Sequence, residues 1–175
     1  MMKRFGAALA ALTLAISLAP AAPATSAVYW QCVTFARAFS GLQIFGDAWT
    51  WWRQATDRNL RTGRVAEPGA VLVFQPHGRM TRGHVAVVSQ VMTERVVQVT
   101  HANWGGSRGR IERDVTMVDV SPEGDWSQVK VWHNPTGDLG TTVYPTYGFI
   151  YGGQPNYLQL ASLEAQSGQS AQGQP

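Results

Sequence analysis

Residues 69–101 read GAVLVFQPHGRMTRGHVAVVSQVMTERVVQVTH, and the fold turns on how this stretch divides. Ala70 to Phe74, His84 to Val91 and Arg95 to His101 are rich in valine and separated by short breaks, which predicts three successive strands. Glu67-Pro68-Gly69 ahead of them is turn chemistry. Weaker strand signals follow at Arg110 to Val115 and Val129 to Trp132. Upstream the pattern is helical. Gln31 to Phe39 places Val33, Phe35, Ala36 and Phe39 on one face, and Ser40-Gly41 supplies a stop. Asp47 stands where it could cap a second helical stretch, Ala48 to Ala55, which carries Trp49, Trp51 and Trp52. Helices first and closely spaced short strands after predict an α+β fold, with the N-terminal helices packed on an antiparallel sheet.

The two ends of the chain read differently from this middle. Lys3 and Arg4 precede an apolar run from Phe5 to Leu18, and Pro20, Pro23 and small residues continue to Ala27. That is the layout of an export signal, so residues 1–27 are read as a leader cleaved after Ala27, with Ala22 and Ala24 as competing sites. The apolar run is shorter than the roughly 20 residues a membrane span needs. No later stretch is long and apolar enough to span, so no membrane span is expected after cleavage. Ala161 to Pro175 is rich in Gln, Ser, Gly and Ala with Glu164 as its one charge, and residues 153–175 are read as a largely disordered tail. A single domain is left at residues 28–152. Apolar residues make up 45% of the chain and charged residues 14%, which is a globular balance. The formal charge of +3 includes Lys3 and Arg4; without those two of the 14 basic residues, 12 stand against 11 acidic ones, and nothing argues for a nucleic-acid partner.

Cys32 is the only cysteine, so no internal disulfide can form. A lone thiol in an exported protein is exposed to oxidation and asks for a reason. It is either a buried small hydrophobe or a reactive group. At the start of the predicted helix, unpaired N–H groups and the positive dipole end would favour a thiolate. Of the four histidines, His84 follows Gly83 at the head of a strand and is read as the base for Cys32. His77 and His133 lie in turn-like segments, whereas His101 ends the next strand and would face His84 if the two strands form a hairpin.

Four segments occur in order: Tyr29-Trp30-Gln31-Cys32-Val33, Pro68-Gly69-Ala70-Val71-Leu72-Val73-Phe74, Gly83-His84-Val85-Ala86-Val87-Val88 and His101-Ala102-Asn103-Trp104. Together they resemble the CHAP family, the cysteine- and histidine-dependent amidohydrolase/peptidases, over about Trp30 to Tyr151. The resemblance implies a papain-like α+β fold of the NlpC-type superfamily and cleavage of amide bonds in peptidoglycan. It makes Cys32 the nucleophile and His84 the base. The family commonly has a glutamate, any residue and an asparagine at the end of the strand after the histidine. Here the place reads His101-Ala102-Asn103, so Asn103 matches and His101 stands for the glutamate. A second imidazole can orient the first, but it brings no fixed negative charge. Tyr29 and Gln31, beside the Cys32 N–H, are candidate donors to an oxyanion.

The expected enzyme is a periplasmic or secreted thiol hydrolase that needs no cofactor and no metal. Its expected partner is peptidoglycan or its peptide fragments. Zinc chemistry is disfavoured because the histidines lack close ligand spacing, and thiol redox chemistry because there is no resolving cysteine. Two alternatives stay open, a non-catalytic wall-binding module and an amidase for a small amide. Trp30 and Trp104 flank the proposed site and serve either a substrate groove or the core.

Overall fold

The computed structural model describes residues 28–168; the leader read at residues 1–27 and tail residues 169–175 lie outside the described residues. Three short helices, Cys32–Ser40 (α1), Trp51–Asp57 (α2) and Tyr157–Gln166 (α3), accompany the strands Thr62–Gly63 (β1), Val71–Phe74 (β2), His84–Thr93 (β3), Val96–Ala102 (β4), Ile111–Asp119 (β5), Gln128–His133 (β6), Asp138–Leu139 (β7) and Tyr144–Ile150 (β8). α1 stops at Gly41, whose φ of 78° turns its N–H back to the Arg37 carbonyl. A 3-10 turn, Ala48–Thr50, leads into α2. The side chain of Asp47 does not cap it; its carboxylate faces Arg82 at 3.3 Å.

The strands pair antiparallel in the order β1-β8-β2-β3-β4-β5-β6-β7. β8 pairs a second time, with β6, setting Pro145 opposite Gln128 and Tyr144 opposite Val129. That pairing rolls β8, β2, β3, β4, β5 and β6 into a closed barrel. The α+β, papain-like expectation is therefore corrected. The protein is mainly sheet, a six-stranded antiparallel β-barrel with three short helices, not a sheet layer under a helical one.

The strand that closes the barrel is the one that the sequence reading passed over. β8 reads YPTYGFI, and a proline and a glycine both argue against a central strand. They fit because β8 changes partner along its length. Tyr144 and Pro145 meet β6, while Thr146 to Ile150 meet β2, with a bulge between Val73 and Phe74. At Gly148 (φ 123°) a Cβ would lie 2.5 Å from the Gly63 carbonyl oxygen, so glycine lets β1 approach.

β2 is buried along its whole length, which is why it reads as an unbroken VLVF run. Its two faces serve two cores. Val71 and Val73, with Val85 and Val87 of β3, pack against Phe35 and Phe39 of α1, Trp51 of α2 and Leu160 of α3. Leu72 and Phe74 join Ala86, Val88, Val97, Val99, Met117, Val129 and Phe149 in the barrel interior. α3 occupies part of the tail expected to be disordered. Leu160 and Leu163 enter the outer core, and Glu164 pairs with Arg113 of β5. Reading the tail from Ala161 onward split that leucine pair, and with it the helical signal.

Candidate active site

Cys32 is the first residue of α1, and Phe35, Ala36 and Phe39 fix that helix against β3 and β4. Three backbone N–H groups meet its sulfur, those of Val85, Val33 and Cys32 itself. Val85 follows His84, so this contact sets the thiol beside the head of β3. The N–H groups favour a thiolate, but burial outweighs them and pushes the thiol up, helped by the negative charge of Asp47. The helix start thus orients the sulfur without ionising it, and at neutral pH Cys32 rests as a thiol.

His84 opens β3 directly after Gly83. At Gly83 (φ 66°) a Cβ would lie 2.6 Å from the Phe74 carbonyl oxygen and 3.0 Å from the backbone nitrogen of Trp49. Only glycine lets the chain turn into β3 at this point. The His84 ring is buried, with Phe74 and Trp104 edge-on to it at centroid distances of 5.6 and 4.8 Å. Its Nε2 lies 3.0 Å from Nδ1 of His101. β3 and β4 form the expected hairpin, and the two imidazoles meet across it. Burial, and then the neighbouring His101, hold His84 well below the usual imidazole value; burial takes His101 down to about 3. Both rings are neutral at pH 7.

His101 is fully buried and stacked on Trp104 at 5.5 Å. On its far side the β4–β5 register sets it opposite Glu112. His101 Nε2 and Glu112 Oε2 stand 3.6 Å apart, and Glu112 Oε1 accepts from Arg110 at 3.3 Å. Burial raises the Glu112 carboxyl, with Arg110 pulling it back down. Sequence reading missed Glu112, because it sat in a weakly signalled strand and only the register of that strand brings it to His101.

Asn103, which matches the family's asparagine, makes its side-chain hydrogen bonds away from His84. It sits at φ 61°, where asparagine is tolerated, and ties the segment before Cys32 to the loop that follows β4. Its Oδ1 accepts from the Tyr29 hydroxyl (2.8 Å) and the Gly109 N–H (3.1 Å), and its Nδ2 donates to Gln31 Oε1 (3.0 Å). Tyr29 therefore has its proton committed to Asn103, whereas the Gln31 amide N–H groups have no partner among the described residues. The two tryptophans divide the roles left open between them. Trp30 donates its indole N–H to the Leu163 carbonyl (3.0 Å) and packs on Phe35. Trp104 covers both imidazoles and lines a cleft of about 150 Å³ together with Ser107, Arg110, Glu112, Trp132 and His133. His77 packs on Tyr144 and His133 contacts Thr136, so both have partners elsewhere.

The family model of the CHAP domain matches residues 23–103. Over that stretch the chain is similar to the CHAP family. No curated protein matches it. The CHAP match takes in Cys32, His84, His101 and Asn103 and stops short of Arg110 and Glu112. CHAP domains are in general hydrolytic and act on peptidoglycan as amidases or peptidases. Among the described residues, no helix is long and apolar enough to cross a membrane.

Proposed function

We propose that this protein is an exported thiol hydrolase that cuts amide bonds of peptidoglycan through a thioester on Cys32. The observation that carries the reading is the buried His84 at the head of β3, held by His101 at 3.0 Å, with the N–H of its neighbour Val85 drawing on the Cys32 thiol. A thiol beside a neutral, oriented imidazole is a nucleophile beside its base. With both groups neutral at rest, the thiol proton passes to His84 as the sulfur attacks the amide carbonyl. The Cys32 N–H and the Gln31 amide are the donors best placed for the oxyanion. His84 then protonates the departing amine, and water activated by the same ring hydrolyses the thioester. Trp104 and the cleft beside it offer an aromatic wall to a peptide or sugar.

The test is incubation of the reduced protein with purified peptidoglycan, followed by mass spectrometry of the soluble products. Fragments released by the wild type and abolished by Cys32→Ala are expected, and their masses identify the bond cut. A folded protein that sediments with the wall and releases nothing between pH 5 and 9 would overturn the reading in favour of a binding module.

A further inference from the structure

Glu112 and His101 leave an unusual pair of loose ends. His101 Nε2 and Glu112 Oε2 are both buried, neither has a hydrogen-bond partner among the described residues, and they face each other at 3.6 Å. A buried imidazole nitrogen and a buried carboxylate oxygen left open are costly apart and satisfied together. From this geometry we infer that Glu112 is a positioning residue, whose carboxylate fixes the proton arrangement of the His101–His84 pair and so presents His84 to Cys32 as a base; the inference rests on the thiol-hydrolase reading above.

The argument is one of proton placement. A carboxylate at Glu112 requires the N–H of His101 to sit on Nε2. Nδ1 of His101 then carries the lone pair, and the 3.0 Å contact must be a donation from His84 Nε2–H. With its proton on Nε2, neutral His84 has its lone pair on Nδ1. That is the nitrogen left to take the proton of the Cys32 thiol. The opposite arrangement would have His101 donate from Nδ1, put the His84 proton on Nδ1 and leave no acceptor for the thiol. When His84 accepts that proton, positive charge develops on a ring boxed in by Phe74 and Trp104. The charged and titratable groups around it are Cys32 on α1, Asp47 ahead of α2, His101 on β4, and Arg110 and Glu112 at the head of β5. Glu112 is the anion aligned with the imidazole pair. A unit charge about 9 Å from the ring, at an effective dielectric of about 20, shifts that protonation by about twentyfold.

The test uses the whole protein and a probe that needs no substrate, the rate of Cys32 alkylation by iodoacetamide from pH 5 to 10. Two-bond nitrogen–proton NMR of the imidazoles runs beside it. Wild type is expected to show the proton on Nε2 in both His84 and His101. Glu112→Gln is expected to mix the tautomers and slow alkylation at pH 7 about twentyfold, with Glu112→Asp recovering part of the loss. A wild-type His101 protonated on Nδ1 overturns the inference without any variant having to fold. So does a Glu112→Gln protein with an unchanged alkylation profile. Because neither readout involves peptidoglycan, a wild type that shows the tautomers but releases no fragments would sink the substrate reading and leave the relay standing.

Discussion

Replacing His101 by glutamate puts a carboxylate where the CHAP family, which the chain resembles here, commonly carries one, yet in this barrel the change is expected to destabilise the protein. The reason is Glu112, which stands directly opposite on β5. Cross-strand partners have Cβ atoms about 5 Å apart, so the introduced carboxylate and that of Glu112 lie within about 5 Å of each other. Two negative charges at that distance and an effective dielectric of about 20 repel by about 3 kcal/mol, or about two pH units on the weaker acid. One of the two carboxyls in His101→Glu therefore keeps its proton well above the ordinary carboxyl range. Its folded value is raised, so the folded state holds a proton that the unfolded state gives up. Stability is then full below about pH 4.3 and falls as pH rises through the folded value, by up to about 3 kcal/mol at pH 8. Urea unfolding at pH 4.5 and pH 8 measures the loss, and the double variant His101→Glu/Glu112→Gln isolates its cause. The double variant is expected to lose far less over the same window. Equal losses in the single and double variants would mean that the two side chains do not share a site, and the reasoning would fail.

Wild type should show the opposite slope at mildly acid pH. His84 and His101 are both held neutral below the usual imidazole value, so unfolding takes up protons and stability is lost as pH falls below about 6.5, by up to about 2.7 kcal/mol per unit while both rings resist protonation; urea midpoints at pH 7 and pH 5.5 check it. Gly83→Ala should cost about 2 kcal/mol and reduce hydrolysis sharply, because the positive φ and the 2.6 Å approach to the Phe74 carbonyl displace His84; thermal unfolding and the product assay report the two effects. Leu160→Ala should cost about 3 kcal/mol, since its side chain is buried where α3 meets the outer core, and an unchanged denaturation midpoint would mean that α3 does not dock.

The sequence made some of this legible and hid the rest for identifiable reasons. α1, β2, β3 and β4 announce themselves through a 3.6-residue apolar face and through valine runs, and the His84–His101 meeting follows from a hairpin between two such runs. Barrel closure was not legible. It depends on β8 changing partners, which no local pattern reports, and on Pro145 and Gly148 that locally argue for a loop. α3 was masked by the polar residues around Leu160 and Leu163. Asn103 matched a motif in sequence, yet its side chain binds Tyr29, Gln31 and Gly109. Motif identity carried the position of the residue but not its partner.

The same distinction bears on the missing glutamate. A carboxylate at position 101 would touch His84 directly; here the first contact is a neutral ring and the charge stands one ring further back, outside the matched segment. Direct contact would favour a standing thiolate–imidazolium pair. The longer path leaves Cys32 a partly buried thiol and His84 a neutral base until a carbonyl arrives. A protonated thiol reacts slowly with oxidants, because the thiolate is the reactive form. For a hydrolase working outside the reducing cytoplasm, as proposed, that resting state protects its one sulfur. The prediction that separates the two designs is the oxidation rate of Cys32 by hydrogen peroxide at pH 7, which should be slow in wild type and should quicken in the His101→Glu/Glu112→Gln variant. A wild-type rate equal to or above that of the variant would remove the protective argument and leave His101 without this reason for its place.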